Sequence, residues 1–338
     1  MSRDPALRVL SDDPLNAETR LSALDGAIVP AARFFIRSHF AIPTAPDRVV
    51  VDGAIRAALA LSLDDIRAMP SRTLEATIEC AGNGRALLEP RIRGEQWSLG
   101  AVGTARWRGA SLRSVIELAD PAPQAIEVLC VGADSGDVPD LDRRIAFERA
   151  LPLAKALHED TLLAYEMNDE PLTREHGAPL RLLVPGWYGM ASVKWVTRLR
   201  VLTQPFRGFF QRDRYVADGR PLTTMSTRAL IVWPEDGDVI VRGEHTVRGY
   251  AWSGETAVLS VEVSVDGGTS WDRAELAGDP HPYAWRPWRS SWNANDVRAV
   301  TLLARAYDAN GHSQPDRPRR NPLGYANNAI QRVRVRVG

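Results

Sequence analysis

The chain has 338 residues, 44% of them hydrophobic, and its 42 lysines and arginines balance 42 aspartates and glutamates. That length and apolar content suit two domains with real cores, and the charge balance leaves no global field of the kind that draws nucleic acid or a membrane surface. Two cysteines, Cys80 and Cys130, are too few for a disulfide framework; no apolar run approaches a membrane span, and residues 1–5 open a polar segment without the apolar centre of a signal peptide. The chain as given therefore reads as soluble and cytoplasmic, or periplasmic where an export signal has been removed.

Residues 1–30 are mixed and polar, which predicts an irregular surface arm. Residues 32–43 read as a short apolar strand that presents Arg37 and His39 on one side, two positions apart. Val49-Val50-Val51 reads as a strand, and residues 62–69 as a helix capped by Ser62 and stopped by Pro70. Next, Leu74, Ala76 and Ile78 alternate with Thr73, Glu75, Thr77 and Glu79, the period of a strand with one face buried. That strand delivers Cys80 to a loop. Gly82-Asn83-Gly84 can turn backbone N–H groups toward one point at positive φ, and this nest together with Arg85 favours an anion and lowers a thiol pKa. On these residues alone, a small core cysteine followed by a plain turn is the competing reading.

Arg85, Arg91, Arg93, Arg106 and Arg108 make the following section locally basic, and residues 111–119 form an amphipathic helix. Cys130 lies in an apolar strand at 126–132 and reads as buried, with Asp134 on the loop beyond it. A helical run at 151–157, a strand at 162–167 and a hairpin turn at Asn168-Asp169 lead to His176 and Arg181, which bracket another turn. Residues 192–196 read as a strand that sets Lys194 opposite the valines. From 223 the pattern changes to successive alternating strands, at 239–241, 246–252, 258–265, 300–307 and 330–337, with turn signals at Asp266-Gly267-Gly268 and Asn310-Gly311. No helical period intervenes, which predicts an immunoglobulin-like sandwich. Arg332, Arg334 and Arg336 form a solvated strand face, and Trp252, Trp271, Trp285, Trp288 and Trp292 suit either core or an interface.

Taken in order, Phe34-Phe35-Ile36-Arg37-Ser38-His39, Glu79-Cys80-Ala81-Gly82-Asn83-Gly84-Arg85, Thr104-Ala105-Arg106-Trp107, Leu163-Ala164-Tyr165-Glu166-Met167-Asn168, Val193-Lys194-Trp195 and Gly249-Tyr250-Ala251-Trp252-Ser253-Gly254 resemble the sulfite oxidase family of molybdenum enzymes. That family also holds the assimilatory nitrate reductases. The resemblance covers nearly the whole chain and implies an α+β protein: a mixed α/β molybdopterin domain at 1–222, followed by an all-β immunoglobulin-like sandwich at 223–338 that forms a homodimer. It implies that Cys80 is the thiolate ligand of a dioxo molybdenum carried by molybdopterin, in keeping with the preference of a soft metal for thiolate. By the same resemblance Ile36, Arg37, Ser38, His39, Asp134, His176, Arg181, Ser192, Val193 and Lys194 hold the cofactor, while Arg37, Arg85, Trp97 and Tyr215 serve the substrate. Arg93 stands where the family has a lysine.

The implied reaction is oxygen-atom transfer on a small oxyanion, sulfite first, with electrons leaving to a separate acceptor such as a cytochrome. One departure bears on the substrate: Leu323 occupies the place of a pocket arginine of the animal sulfite oxidases, where nitrate reductases also carry an apolar residue. Nitrate or another small oxo donor is therefore the alternative substrate. Two readings of other classes stand beside it, a thiol hydrolase built on Cys80 with His39 or His176 as base, and a binding protein whose active part is the sandwich.

Overall fold

The computed structural model describes residues 4–138, 140–295 and 299–338. Two five-stranded sheets build most of the first part of the chain. One runs Glu170–Pro171, Leu162–Met167, Val102–Ser111, Ser71–Glu79, with Arg181–Leu183 added to Leu162–Met167, and its ladders are antiparallel. The other runs Leu59–Ser62, Arg48–Gly53, Val196–Leu202, Glu127–Asp137, Arg144–Pro152, and only the pairing of Arg48–Gly53 with Val196–Leu202 is parallel. Helices are short. Leu63–Arg67 begins with a capping box, in which Ser62 Oγ accepts from Asp65 N–H at 3.1 Å while Asp65 accepts from Ser62 N–H at 2.8 Å. Leu112–Leu118 buries Leu112, Val115 and Ile116.

The remainder is a sandwich. Arg228–Trp233, Gly243–Trp252, Arg286–Ala294 and Glu275–Leu276 form one sheet; Val239–Ile240, Arg332–Val337, Ala299–Asp308, Val258–Ser264 and Asp272–Arg273 form the other. Val247, Val261, Leu302, Ala304 and Val333 fill the space between the sheets. The five strands expected in this region are all present, and Gly267, Gly268 and Gly311 take positive φ at the expected turns. Arg228–Trp233 and Arg286–Ala294 were not expected. The second hides because Arg286 and Ser290 stand at its inward positions and break up its apolar alternation.

Several expectations are corrected. The arm is a hairpin of Leu7–Asp12 with Leu15–Thr19, while residues 1–3 lie outside the described residues. Residues 32–43 form no strand. They make a short turn at Ala31–Arg33 and one bridge from Ile36 to Ala17, because side chains take the place of a strand partner: Thr19 Oγ1 donates to Arg33 O at 2.7 Å, and Ser38 N–H donates to Asn16 Oδ1 at 3.0 Å. Asp134 lies on a strand, Glu127–Asp137, where the register slips between Val131 and Ser135. Lys194 precedes the strand Val196–Leu202, and Trp195, at φ 52°, interrupts an extended run there.

Thr77 and Glu79 occupy the polar positions of the Ser71–Glu79 strand, yet both are buried. The sandwich covers that second face. Trp285 N–H donates to Thr77 Oγ1 at 2.9 Å, and Arg228 pairs with Glu79 at 2.9 Å.

Candidate active site

Cys80 follows the Ser71–Glu79 strand directly and is held by its own main chain, donating N–H to Ala101 O at 2.9 Å and accepting from Asn83 N–H at 2.9 Å. Of the three loop residues expected at positive φ, only Gly84 takes it, at 83°. Gly82 instead leaves room for Arg85: a Cβ there would lie 2.7 Å from the guanidinium and would displace it. The thiol also departs from expectation. Burial pushes its pKa up, and this outweighs the opposing pull of Arg37, the Gly82 N–H and Arg85.

Two adjoining cavities meet at Arg37, His39, Cys80 and Tyr215. The inner one is lined by Ser38, Asp134, His176, Arg181, Ser192 and Lys194, so six residues from positions up to 156 apart in sequence converge there. Arg181 is buried over the Trp107 ring at 4.9 Å and donates to His176 O and Ser192 O, each at 3.2 Å, but its Nε has no partner. Burial lowers its pKa to about 9. Asp134 Oδ1 is likewise buried without a partner, and burial pushes that carboxyl up. Lys194 reaches Ser38 Oγ at 3.0 Å and Glu175 O at 2.8 Å; burial, with Arg181 next to it, pulls its pKa well down. His176 is lowered to about 4 by burial, its Nε2 lying 2.9 Å from Ala31 O.

The outer cavity is lined by Arg85, Arg93, Trp97, Leu323 and Tyr325 beside the shared residues. Arg85 is aimed by main-chain oxygens: Nε donates to Leu323 O at 3.2 Å and Nη1 to Glu95 O at 2.8 Å. Tyr215 Oη stands 2.6 Å from His39 Nε2, and burial, followed by the Arg37 and Lys194 charges, keeps His39 neutral. Arg106 and Arg108 lie elsewhere, paired with Asp169 and Glu166. Ile36 and Val193 line neither cavity: Ile36 packs with Leu7 and Ala17, and the Val193 carbonyl accepts from Leu182 N–H at 2.8 Å.

Sequence reasoning missed two neighbours of Tyr215. Tyr325 stacks on it with centroids 5.0 Å apart, under the Arg85 guanidinium at 5.0 Å. Arg149, buried without a carboxylate, bonds Phe210 O and Leu222 O and so pins both flanks of the segment that carries Tyr215. Tyr325 sits two residues past Leu323, in a stretch the family resemblance already marked; nothing in the sequence singles out Arg149.

A hydrolase needs a base bonded to its thiol. His39 faces Tyr215 and His176 faces Ala31 O, so both imidazoles are otherwise engaged. What the site does offer is a set of buried, unfilled groups: a carboxylate oxygen for N–H donors, and cations for an anion, beside a thiol. Among the described residues no three His, Cys, Asp or Glu side chains converge, so a metal at Cys80 would take its other ligands from the group that carries it. That donor set fits molybdopterin, an anionic pterin with sulfur ligands of its own. Among the described residues, no helix is long and apolar enough to cross a membrane.

Comparison with known proteins agrees. The oxidoreductase molybdopterin binding domain model matches residues 39–210, and the Mo-co oxidoreductase dimerisation domain model matches residues 220–338. Mitochondrial sulfite oxidase of Mus musculus is 35% identical, covering 99% of this chain and 66% of that protein. Sulfite oxidase of Arabidopsis thaliana is 31% identical, covering 99% of this chain and 95% of that protein. The crystal structure of the sulfane dehydrogenase SoxCD from Paracoccus pantotrophus superposes with a TM-score of 0.82 at 28% identity, covering 98% of this chain and 85% of that one. With its buried cysteine, its unfilled cofactor donors and its two matched domains, this chain belongs to the sulfite oxidase family of molybdopterin oxidoreductases.

Proposed function

We propose that the chain is a molybdenum-dependent oxidoreductase that transfers an oxygen atom to sulfite, acting as a homodimer and passing electrons to a separate acceptor such as a cytochrome. The observation that carries this reading is Cys80 at the junction of two cavities, one bearing unfilled cofactor donors and the other lined by Arg85 and Tyr215. When bound, the molybdenum carried by molybdopterin would supply a transferable oxo group and accept two electrons, so that sulfite and water give sulfate, two protons and two electrons.

The chain supplies the surroundings. Cys80 gives the thiolate. Asp134 accepts from pterin N–H groups, while Arg181, Lys194 and Ser192 hold the anionic end. Arg37 and Arg85 attract and orient the oxyanion, and Arg85 is ready in advance because Leu323 O and Glu95 O already fix its plane. Tyr215 donates to the oxyanion from a phenol that burial keeps protonated, its oxygen accepting from His39 in the Nε2–H tautomer. Trp97 and Tyr325 wall the outer cavity and limit water.

Leu323 favours a second substrate reading. An apolar side chain at this place in the outer cavity leaves one fewer cation for a doubly charged oxyanion, which suits nitrate, or a sulfane of the kind named for the Paracoccus enzyme. Metal analysis with sulfite-dependent reduction of an artificial acceptor tests the main reading. Stoichiometric molybdenum with sulfite turnover, both activity and thiolate signature being lost in Cys80→Ser, is the expected result; metal-free protein, or full activity in Cys80→Ser, overturns it.

A further inference from the structure

Glu79 immediately precedes Cys80, and its carboxylate is buried with that of its ion-pair partner Arg228, each side chain 3% exposed. Arg228 opens the first strand of the sandwich, Arg228–Trp233, so the pair joins the two parts of the molecule. Both carboxylate oxygens are used. Oε1 accepts from Arg228 Nη1 at 2.9 Å and from Asn83 Nδ2 at 3.0 Å, and Oε2 accepts from the Trp252 indole at 3.0 Å. Asn83 Oδ1 in turn accepts from Ala101 N–H at 3.2 Å, beside the carbonyl that receives Cys80 N–H.

The same loop is held from its other side. Ala326 N–H donates to Ala81 O at 2.8 Å, Asn327 Nδ2 donates to Gly84 O at 2.9 Å, and Arg228 Nη1 also donates to Asn327 O at 2.9 Å. Residues 79, 81, 83 and 84 are thus tied, directly or through Glu79, to residues of the sandwich, and Cys80 lies among them. A buried ion pair adds little net stability over well-packed apolar side chains of the same volume, since desolvation offsets the attraction. A fully satisfied buried network does, however, accept only one arrangement. Its product is direction.

We infer that the sandwich is a positioning element of the active site: Glu79, Arg228 and Trp252, with Asn327, set where the Cys80 sulfur stands. None of them touches the reacting atoms. The inference rests on the reading of Cys80 as the molybdenum ligand, because a thiolate that must meet a bound metal needs placement of this accuracy.

The test uses the full-length protein with three variants, Arg228→Met, Arg228→Lys and Trp252→Phe. In protein prepared without cofactor, the rate of Cys80 alkylation by iodoacetamide is followed by mass spectrometry. In loaded protein, molybdenum content, the molybdenum EPR spectrum, and kcat and KM for sulfite are measured. Trp252→Phe is expected to alkylate faster, to shift the EPR spectrum and to lower kcat per molybdenum about 10-fold, with KM changed less than about twofold. Arg228→Met is expected to show larger changes of the same kind, and Arg228→Lys to restore part of them. Where Arg228→Met fails to fold, the other two variants decide. A wild-type EPR spectrum and wild-type alkylation rate in every folded variant overturn the inference even if Tm falls. Wild-type protein without molybdenum instead overturns the reading of Cys80, and the inference with it, so the two failures are distinguishable.

Discussion

Asp134 and Asp308 are both buried aspartates, 3% and 5% exposed, and they are treated in opposite ways. Asp308, in the sandwich, has its oxygens filled: Oδ2 accepts from Thr227, Ser253 and Thr256 hydroxyls at 2.9–3.0 Å, and Oδ1 accepts from the N–H groups of Asn310 and His312, each at 2.9 Å. Burial would raise this carboxyl, but those bonds bring it down to about 2. Asp134, in the cavity, has an empty Oδ1, and burial prevails. The arginines give the same contrast. Arg289, Arg305 and Arg334 of the sandwich each bind a carboxylate, whereas Arg181, which lines the inner cavity, is buried on main-chain oxygens with Nε unfilled. Satisfied charges belong to a finished structure, and unfilled buried charges mark where a ligand completes it.

The largest expected effect comes from removing an unfilled cation. Arg181→Met should abolish molybdenum loading yet leave cofactor-free protein as stable as wild type, or more stable by about 1–2 kcal/mol, since an unpaired buried charge is replaced by apolar volume. Molybdenum analysis and denaturant unfolding check the two halves, and a marked loss of apo stability would break the contrast. Next is the outer cavity. Leu323→Arg adds a cation where oxyanion charge is met, and should lower KM for sulfite about 10-fold. An unchanged KM would show that Leu323 does not govern substrate charge.

Asp308→Asn tests the satisfied side. Its carboxyl is depressed in the folded state, so its contribution is present above the unfolded value near 3.8 and is lost as pH falls toward about 2. The wild type should therefore lose stability across that window relative to the variant, by on the order of 1 kcal/mol once solvent screening is allowed for. Parallel pH curves for the two proteins would remove the argument. Smallest of all, Arg289→Gln breaks an exposed pair with Glu275 and should leave the denaturation midpoint, molybdenum content and turnover unchanged.

Much of this contrast was legible in local pattern. The strand leading to Cys80, the cap at Ser62, the buried Cys130 and five sandwich strands follow from alternation, capping and turn chemistry, all of which act over a few residues. The cofactor residues became legible only through family resemblance, because Arg37, Asp134, His176 and Lys194 are far apart in the chain and each has an ordinary explanation alone. Residues 32–43 misled because their main chain is satisfied by the Thr19 and Asn16 side chains, a substitution that periodicity does not register.

The sequence by itself determined the change from mixed elements to successive alternating strands and the loop that carries a lone cysteine, since these depend on composition and short-range order. Only the tertiary structure decided which polar positions are buried. Thr77 and Glu79 look like the solvent face of a strand until the sandwich covers them, Tyr325 reaches Tyr215 only through the return of the chain from the second domain, and burial then overrules the Gly82 N–H and the arginines in setting the Cys80 thiol. Desolvation is a property of everything that surrounds a group, and no stretch of chain carries it alone.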